Sequence, residues 1–331
     1  MRRRRTPALL AAALLTVTLA GCSADDGARW RDDGGPAAPA ASAPGQAAPP
    51  ARSSVPAGSA PAEPFAVGVR ELKLTRDADR ALPVTIWYPA TGSAGGTPRR
   101  GRPAAPGRFP VVVFSHGLTA RPADYAALLT RWAVAGFVVA APTFPGTSRG
   151  AARYDVLDVL NQPADVSFVL TRVLALDGRA GDPLRGRLAA DRVAATGHSA
   201  GGVTTVGLFT IERDDRLDAG IVLAGSALGV GTAFAGTGAP QLFVHGERDE
   251  VVSYSAGRAA YEAVPWPKAM LSLPDGDHGR SLLSGADRSF TVVADTTTEF
   301  LRWSLYGDAA AKRRLPADAA RGGLATLDNR L

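Results

Sequence analysis

The chain has 331 residues, which is enough for one large domain with a sizeable core or for two small ones. Its formal net charge is +6, but four of its 37 basic residues lie at positions 2–5. Without these four, the basic residues nearly balance the 31 acidic ones. The charge therefore does not support a nucleic-acid partner, and none is expected.

The first 21 residues have the pattern of a signal peptide. Four arginines at 2–5 precede an apolar stretch at 8–20 and then Gly21. A transmembrane helix needs about 20 apolar residues, so cleavage is favoured over a permanent span. Residues 19–22 resemble a bacterial lipobox, in which the cysteine is acylated. Cys22 is the only cysteine, which excludes an intramolecular disulfide and favours a lipid anchor at the cell envelope. Without acylation the protein would be secreted.

Residues 22–63 are predicted to form a disordered linker behind the lipidated cysteine. The stretch 36–61 is rich in alanine and proline, carries one charged residue, Arg52, and shows neither helical nor strand periodicity. Coil statistics give about 40 such residues a reach of roughly 35 Å. The linker would therefore hold the folded part away from a membrane.

Residues 64–307 are predicted to form one α/β domain built on a doubly wound, mostly parallel sheet. Strands at 67–69 and 84–88 open it, and the continuous apolar run at 110–114 indicates a strand buried on both faces. Strands and helices then alternate, which is typical of βαβ units. Further strands are predicted at 137–141, 193–196, 221–224, 241–245 and 269–273, and helices at 122–135, 164–176, 201–211, 253–263 and 290–305. Residues 308–331 are expected to be a loosely held tail.

The sequence Gly-His-Ser-Ala-Gly-Gly occupies residues 197–202, between a short apolar run and a segment of small residues. This order predicts strand, sharp turn and helix, the setting of a nucleophile elbow. A side chain at Gly197 or Gly201 would collide with the neighbouring element there, and Ser199 Oγ would stand clear of the sheet. The N–H of Ala200 would face the same space from the helix N-terminus.

A second match to G-x-S-x-G lies at residues 146–150, around Ser148. Pro142 and Pro145 separate it from the preceding apolar run, and proline ends a strand before the turn begins. Ser199 is therefore favoured as the nucleophile. The alternative for Ser199 is a structural serine in a tight turn.

A serine nucleophile needs a base, and the chain has four histidines. His198 is the spacer residue of the elbow, and His116 precedes a glycine in the loop after a strand. His245 ends a strand, where it is expected to support the following turn. His278 follows the last predicted strand on a flexible turn, so it is predicted to be the general base.

The acid that orients this base should follow the preceding strand. Asp249 does so and is preferred over Glu247 and Glu250. Asp277 is interpreted as a turn former beside glycine. The resulting order of Ser199, Asp249 and His278 along the chain is that of the α/β-hydrolases.

A second donor to an oxyanion is expected in the loop after the buried run at 110–114. The N–H of Leu118 lies in that loop and would point at the same space as the N–H of Ala200. The alternative is that His116 and Gly117 only form a tight turn.

Residues 66 to about 307 resemble the α/β-hydrolase superfamily. Within it, they resemble the branch that holds platelet-activating-factor acetylhydrolase-like, dienelactone-hydrolase-like and cutinase-like polyester hydrolases. The resemblance is carried by the segments 83–89, 114–118 and 197–202, with Asp249 and His278. It implies hydrolysis of a carboxylic ester, of a small molecule or a lipid, through an acyl-serine. It also implies Leu118 and Ala200 as oxyanion donors and neither a metal nor another cofactor.

Some features separate the chain from individual members of this branch. Polyester-degrading cutinases usually carry an aromatic residue where this chain has Leu118, a tryptophan near residues 225–228, and a disulfide. Dienelactone hydrolysis uses a cysteine nucleophile, which Ser199 excludes. The alternatives are a polyester hydrolase, an acyltransferase on envelope lipids, and an inactive lipid-anchored binding protein. The sequence leaves the oligomeric state open.

No cap domain is expected over the site. Residues 224–240 occupy the place after the sixth strand of the fold where a cap is usually inserted, and five of these 17 residues are glycine. A glycine-rich segment loses too much entropy on ordering to form a packed helical cap.

Overall fold

The structure is a computed structural model that describes residues 58–331. The predicted signal peptide, Cys22 and most of the predicted linker lie outside these residues. Among the described residues, no helix combines the length and the apolar content that crossing a bilayer requires.

Residues 58–331 form one ten-stranded sheet and a separate two-stranded hairpin, β2–β3. The order of strands across the large sheet is β12-β11-β10-β9-β8-β6-β7-β4-β1-β5. In chain order the strands are β1 (Ala66–Leu72), β2 (Thr75–Arg76), β3 (Arg80–Ala81), β4 (Val84–Ala90), β5 (Arg99–Arg100), β6 (Phe109–Ser115), β7 (Val138–Pro142), β8 (Leu188–His198), β9 (Leu217–Leu223), β10 (Gln241–Gly246), β11 (Lys268–Leu273) and β12 (Thr326–Arg330).

The centre of the large sheet is parallel, from β7 through β6, β8, β9 and β10 to β11. Antiparallel β4 and β12 flank this block on its two sides. The chain goes from β6 to β7 on one side and then returns to place β8 on the other, so the strand order reverses between β6 and β8. Ligands of open α/β sheets bind at such a switch point, outside the carboxyl ends of the strands.

Helices cover both faces of the sheet. Alternate residues of β6 point to opposite faces: Val112 and Phe114 pack with α1, α6 and α7, whereas Val111 and Val113 pack with α2. The helices are α1 (Ala126–Val134), α2 (Gln162–Leu174), α3 (Ala200–Gly207), α4 (Tyr254–Ala263), α5 (Arg280–Leu283), α6 (Phe290–Tyr306) and α7 (Ala309–Ala319), with 3₁₀ turns at Pro122–Tyr125, Val156–Asn161, Ala175–Gly178 and Arg321–Gly323. The doubly wound sheet predicted from the sequence is confirmed, and it is the α/β-hydrolase fold. Residues 224–240 contain no helix, so no cap is built there.

The C-terminal segment corrects one prediction. Residues 308–331 are not a loosely held tail, because they form α7 and the edge strand β12. Asp308 caps α7 by accepting hydrogen bonds from the N–H groups of Ala310 and Ala311, at 2.9 and 3.1 Å. Buried Ala311 and Leu315 then pack against α6. Strand β12 pairs antiparallel with β11.

The predicted start of the domain at residue 64 also needs correction. Gly58 forms a β-bridge with Asp308, and Ala60 packs against the core face that holds α6. A side chain at Gly136 would lie 3.1 Å from Pro61. The last residues of the predicted linker therefore pack against the domain, where they cover the start of the C-terminal segment.

Candidate active site

Ser199 lies at the junction of β8 and α3, where the chain reverses direction. Its φ of 57° and ψ of −122° fall in a region that residues other than glycine rarely occupy. A Cβ at Gly197 would lie 2.0 Å from the carbonyl oxygen of Gly201, and a Cβ at Gly201 would lie 2.0 Å from that of Ser115. The two glycines let α3 pack directly on the ends of β8 and β6, as the motif predicts.

The side chains of Ser199, His278 and Asp249 form one line of hydrogen bonds. Ser199 Oγ lies 2.9 Å from His278 Nε2, and His278 Nδ1 lies 2.7 Å from Asp249 Oδ2. Because Nδ1 faces a carboxylate, it carries the ring proton, and Nε2 is free to accept the serine proton. The structure brings together three residues that are 50 and 29 positions apart in sequence.

The carboxylate of Asp249 is held by hydrogen bonds from the turn after β10. It is fully buried, and Oδ1 accepts hydrogen bonds from the N–H groups of Val251 and Val252, both at 2.8 Å. His245 Nε2 lies 3.2 Å from Oδ2 and 2.9 Å from the carbonyl oxygen of Val252. The turn after β10 therefore presents one carboxylate oxygen to His278 and is braced by His245, the role expected for a histidine at the end of that strand.

The loop after β6, which contains Leu118, passes beside Ser199. A Cβ at Gly117 would lie 3.1 Å from Ser199 Cβ, so the loop backbone passes close to the serine. The N–H of Thr119 is held by the carbonyl oxygen of Thr147, at 2.7 Å. In the described chain no protein group accepts the N–H of Leu118. The N–H of Ala200 opens α3 and has no acceptor within the helix.

A relay of buried hydrogen bonds, through Tyr125 and His198, connects this loop to His278. The N–H of Gly117 donates to Tyr125 Oη at 2.9 Å, and Tyr125 Oη lies 3.1 Å from His198 Nδ1. His198 Nε2 lies 2.7 Å from the carbonyl oxygen of His278, which can only accept. Nε2 therefore carries the proton and Nδ1 accepts from the Tyr125 hydroxyl. Burial lowers the pKa of His198 to about 4 and raises the pKa of Tyr125 to about 12.

His116 fixes the other side of the loop. Its Nδ1 donates to the carbonyl oxygen of Gly117 at 2.8 Å, and its Nε2 accepts the N–H of Phe144 at 3.1 Å. Burial lowers the pKa of His116, which keeps the ring neutral for this pair of bonds. His116 therefore ties the loop after β6 to the loop after β7.

Sequence reasoning did not anticipate Tyr125 or the bracing role of His198. It treated His198 as the spacer of the elbow and did not consider Tyr125. The two rings are 73 positions apart, and no spacing rule links a tyrosine at a helix start to a histidine at an elbow. Their relation exists only once β6 and β8 lie side by side.

The competing candidates are Ser148 and Asp277. Ser148 is buried in the loop after β7, and no hydrogen bond of the described chain joins its side chain to a histidine. Asp277 Oδ1 accepts the N–H of Gly279 at 3.2 Å, which fits the role of turn former. Within residues 58–331, no three His, Cys, Asp or Glu side chains converge on a position for a metal ion.

Comparison with known families also supports an α/β-hydrolase. Residues 100–230 match the family model of chlorophyllase, an esterase-related family with an α/β-hydrolase-like fold. The match covers less than half of the chain. It includes Leu118, Ser199 and Ala200, whereas Asp249 and His278 lie beyond it. No curated protein matches the chain. The fold and the match together support an esterase-type activity of an α/β-hydrolase.

Proposed function

We propose that this protein is a carboxylic-ester hydrolase that works through an acyl-serine intermediate. The observation that carries the proposal is the line of hydrogen bonds from Ser199 through His278 to Asp249, with donor–acceptor distances of 2.9 and 2.7 Å. A serine hydroxyl is a weak nucleophile at neutral pH, and a histidine in this position removes its proton as the oxygen attacks.

The first half-reaction forms the acyl-enzyme. Ser199 Oγ bonds to the ester carbonyl carbon while its proton moves to His278 Nε2. The N–H groups of Leu118 and Ala200 stabilise the negative oxygen of the tetrahedral intermediate. The C–O bond to the alcohol then breaks, and the alcohol leaves with the proton from His278.

The second half-reaction releases the acid. Water attacks the acyl-serine carbonyl and gives one proton to His278; the bond between the acyl carbon and Ser199 Oγ then breaks, and that proton returns to Ser199 Oγ. Asp249 stays hydrogen-bonded to His278 Nδ1 and stabilises the positive charge on His278 in both halves. No step requires a metal or another cofactor.

The subfamily and the location belong to the same proposal. The segments 83–89, 114–118 and 197–202 favour the branch with acetylhydrolase-like and cutinase-like enzymes, and the chlorophyllase match supports an esterase within the superfamily. We further propose that the enzyme is tethered to the bacterial cell envelope by a lipid on Cys22, which lies outside the described residues.

A covalent probe tests the assignment of the nucleophile. A fluorophosphonate should label Ser199, and Ser199→Ala should abolish labelling and lower kcat on a p-nitrophenyl ester by at least about 10³-fold, because the attacking oxygen is removed. Ser148→Ala is the matched control and should keep both. Peptide mass spectrometry that locates the adduct on Ser148, or hydrolysis that survives Ser199→Ala, would refute the proposal.

A further inference from the structure

The 3₁₀ turn Val156–Asn161 has an inverted distribution of polar and apolar side chains. Asp158 is the buried residue of the turn, whereas Val156, Leu157 and Leu160 are 48%, 67% and 42% exposed. This is the reverse of the usual distribution, in which carboxylates are exposed and aliphatic side chains are buried. The turn therefore presents an apolar surface to the outside.

Ion pairs hold this inversion in place. Arg80 Nη1 lies 2.9 Å from Asp158 Oδ1, and Arg80 Nη2 lies 2.5 Å from Asp165 Oδ2, a carboxylate with no exposed surface. Asn161 Nδ2 and the N–H of Gly146 also donate to Asp158, both at 3.2 Å. Rotating the turn to bury its aliphatic side chains would break these bonds and leave buried charges unpaired.

The exposed apolar side chains gather at the edge of the sheet that carries Ser199. Those of the 3₁₀ turn follow β7, and two others follow β9 and β10, where Leu228 is 80% and Val251 is 71% exposed. Leu160 Cδ2 lies 3.1 Å from where a Cβ at Gly229 would be, so the loops after β7 and β9 touch. We name as the apolar rim the side chains of Tyr154, Val156, Leu157, Leu160, Leu228 and Val251.

One large exposed aliphatic side chain of the described residues lies outside the loops after β7, β9 and β10. Ile211 is 56% exposed and lies between α3 and the start of β9, where its neighbour Thr210 donates to the carbonyl oxygen of Val230 at 2.9 Å. The concentration of the others in loops at the edge that carries Ser199 indicates a surface with a function, because scattered single side chains would need no explanation.

The charges at the same edge favour an uncharged partner. Residues 224–240 carry no charged side chain, and across the loops after β6, β7, β9, β10 and β11 acidic residues outnumber basic ones. Two of the arginines there are paired: Arg149 lies 2.6 Å from Asp124, and Arg248 lies 2.5 Å from Asp275. The edge therefore offers no surplus of positive charge to an anionic surface.

We propose that the apolar rim docks the protein onto an uncharged lipid surface, so that an ester held in that surface enters the site at Ser199. The inference rests on the proposed function and deepens it, because it names the physical state of the substrate as a lipid aggregate. Side chains that are two-thirds or more exposed protrude from three loops around the serine. A second copy of the chain seated there would block the site, whereas a lipid surface would deliver substrate to it.

Vesicle binding tests the rim independently of catalysis. The predicted mature chain, residues 22–331, carries Cys22→Ser so that no acyl anchor contributes and Ser199→Ala so that no lipid is consumed. It should sediment with vesicles of neutral phosphatidylcholine. Adding Leu157→Ser and Leu228→Ser should weaken this binding about tenfold or more, because two apolar side chains no longer leave water. Ile211→Ser is the matched control and should leave it unchanged.

Four outcomes would overturn the inference: no sedimentation of the parent chain, equal loss with Ile211→Ser, no loss with the double variant, or binding that needs anionic lipid and vanishes in high salt. A parent chain that dimerises through the rim without binding vesicles would also contradict it. Equal thermal unfolding midpoints of the double variant and its parent would exclude misfolding. Hydrolysis of a water-soluble ester by the chain with Ser199 intact tests the proposed function separately.

Discussion

At the scale of single residues, Tyr125 is the least replaceable part of the relay behind Ser199. Its hydroxyl accepts the N–H of Gly117 and donates to His198, so it links the loop that carries Leu118 to the element that carries His278. Both partners are buried, and removal of the hydroxyl would leave each without a bond.

Tyr125→Phe should lower kcat by about 10- to 100-fold and leave KM nearly unchanged, because buried Tyr125 affects the groups that act in the transition state only through Gly117 and His198. The measurement is steady-state kinetics on a p-nitrophenyl ester. Tyr306→Phe is the control, since it also removes a buried hydroxyl, bonded to the carbonyl oxygen of Gly136 at 2.6 Å, but away from Ser199. Equal losses of kcat in the two variants would indicate a general effect on the fold.

His198 should make the stability of the protein fall in acid. Burial lowers its pKa to about 4, whereas the unfolded chain should have an ordinary value near 6.5. Between these values the unfolded state binds a proton that the folded state does not. This contribution is therefore complete above pH 6.5 and declines by about 3 kcal/mol as the pH falls toward 4.

Urea unfolding at pH 7 and pH 4.5 measures this dependence, and His198→Gln should flatten it. Burial also lowers the pKa of His116 and His245, so acid should destabilise the variant in the same direction by a smaller amount. An identical loss in the wild type and His198→Gln would show that other groups carry the effect.

At the scale of elements, the sequence best predicted the strands that are marked by an unbroken apolar run. The strand at 110–114 and the elbow at 197–202 were found in this way, and the chain order then placed Asp249 and His278 at the same edge. Strand β8 begins at Leu188, earlier than the predicted 193. The prediction missed its first residues because exposed Asp191 interrupts the apolar pattern, next to a shift in register.

The elements that the sequence did not predict depend on distant contacts. In α7 only Ala311, Leu315 and Ala319 are buried, and alanine is a weak marker of a core face. The turn at Val156–Asn161 was missed because its apolar residues face outward. Its orientation depends on Arg80, which is 78 positions from Asp158. Side-chain ion pairs of this kind have no local sequence pattern.

The same ion pairs predict a large effect of Arg80→Ala. The substitution leaves Asp165 buried, where desolvation raises its pKa, with Arg76 at 2.8 Å as the remaining partner. Removal of one partner of a buried pair costs about 3 kcal/mol or more in the free energy of unfolding. Chemical denaturation measures it, and a loss no larger than that of the control would contradict the argument.

Arg100→Ala is a matched control for that substitution. Arg100 pairs with Glu71 at 2.7 Å, but the two side chains are 72% and 54% exposed. Water and salt screen such a pair, so its removal should change the free energy of unfolding by less than about 1 kcal/mol. Comparing the free energies of unfolding of the two variants separates the effect of burying an ion pair from the effect of forming one at the surface.

At the scale of the whole molecule, one edge of the sheet carries the candidate chemistry and the apolar rim together. The carboxyl ends of the parallel strands place Ser199, His278 and Asp249 there, and the loops after β9 and β10 hold Leu228 and Val251 at the same edge. Because residues 224–240 build no cap, the edge is open to a partner as broad as a surface. A flexible tether to a membrane would keep that edge within reach of a lipid surface.

The proposed tether predicts that Cys22 is the N-terminal residue of the mature protein and carries acyl groups. The basic residues at 2–5, the apolar stretch and the sequence Leu-Ala-Gly-Cys at 19–22 place this cysteine at the cleavage site, and the chain has no other cysteine to compete with it. Two or more acyl chains give stable membrane anchoring, whereas a single acyl chain gives only marginal binding. Cys22→Ala should therefore abolish lipid labelling and move the protein from the membrane fraction to the soluble one, whereas Ser23→Ala should change neither. Mass spectrometry of the N-terminal peptide decides the matter: an unmodified wild-type chain that begins at another residue would rule out the tether.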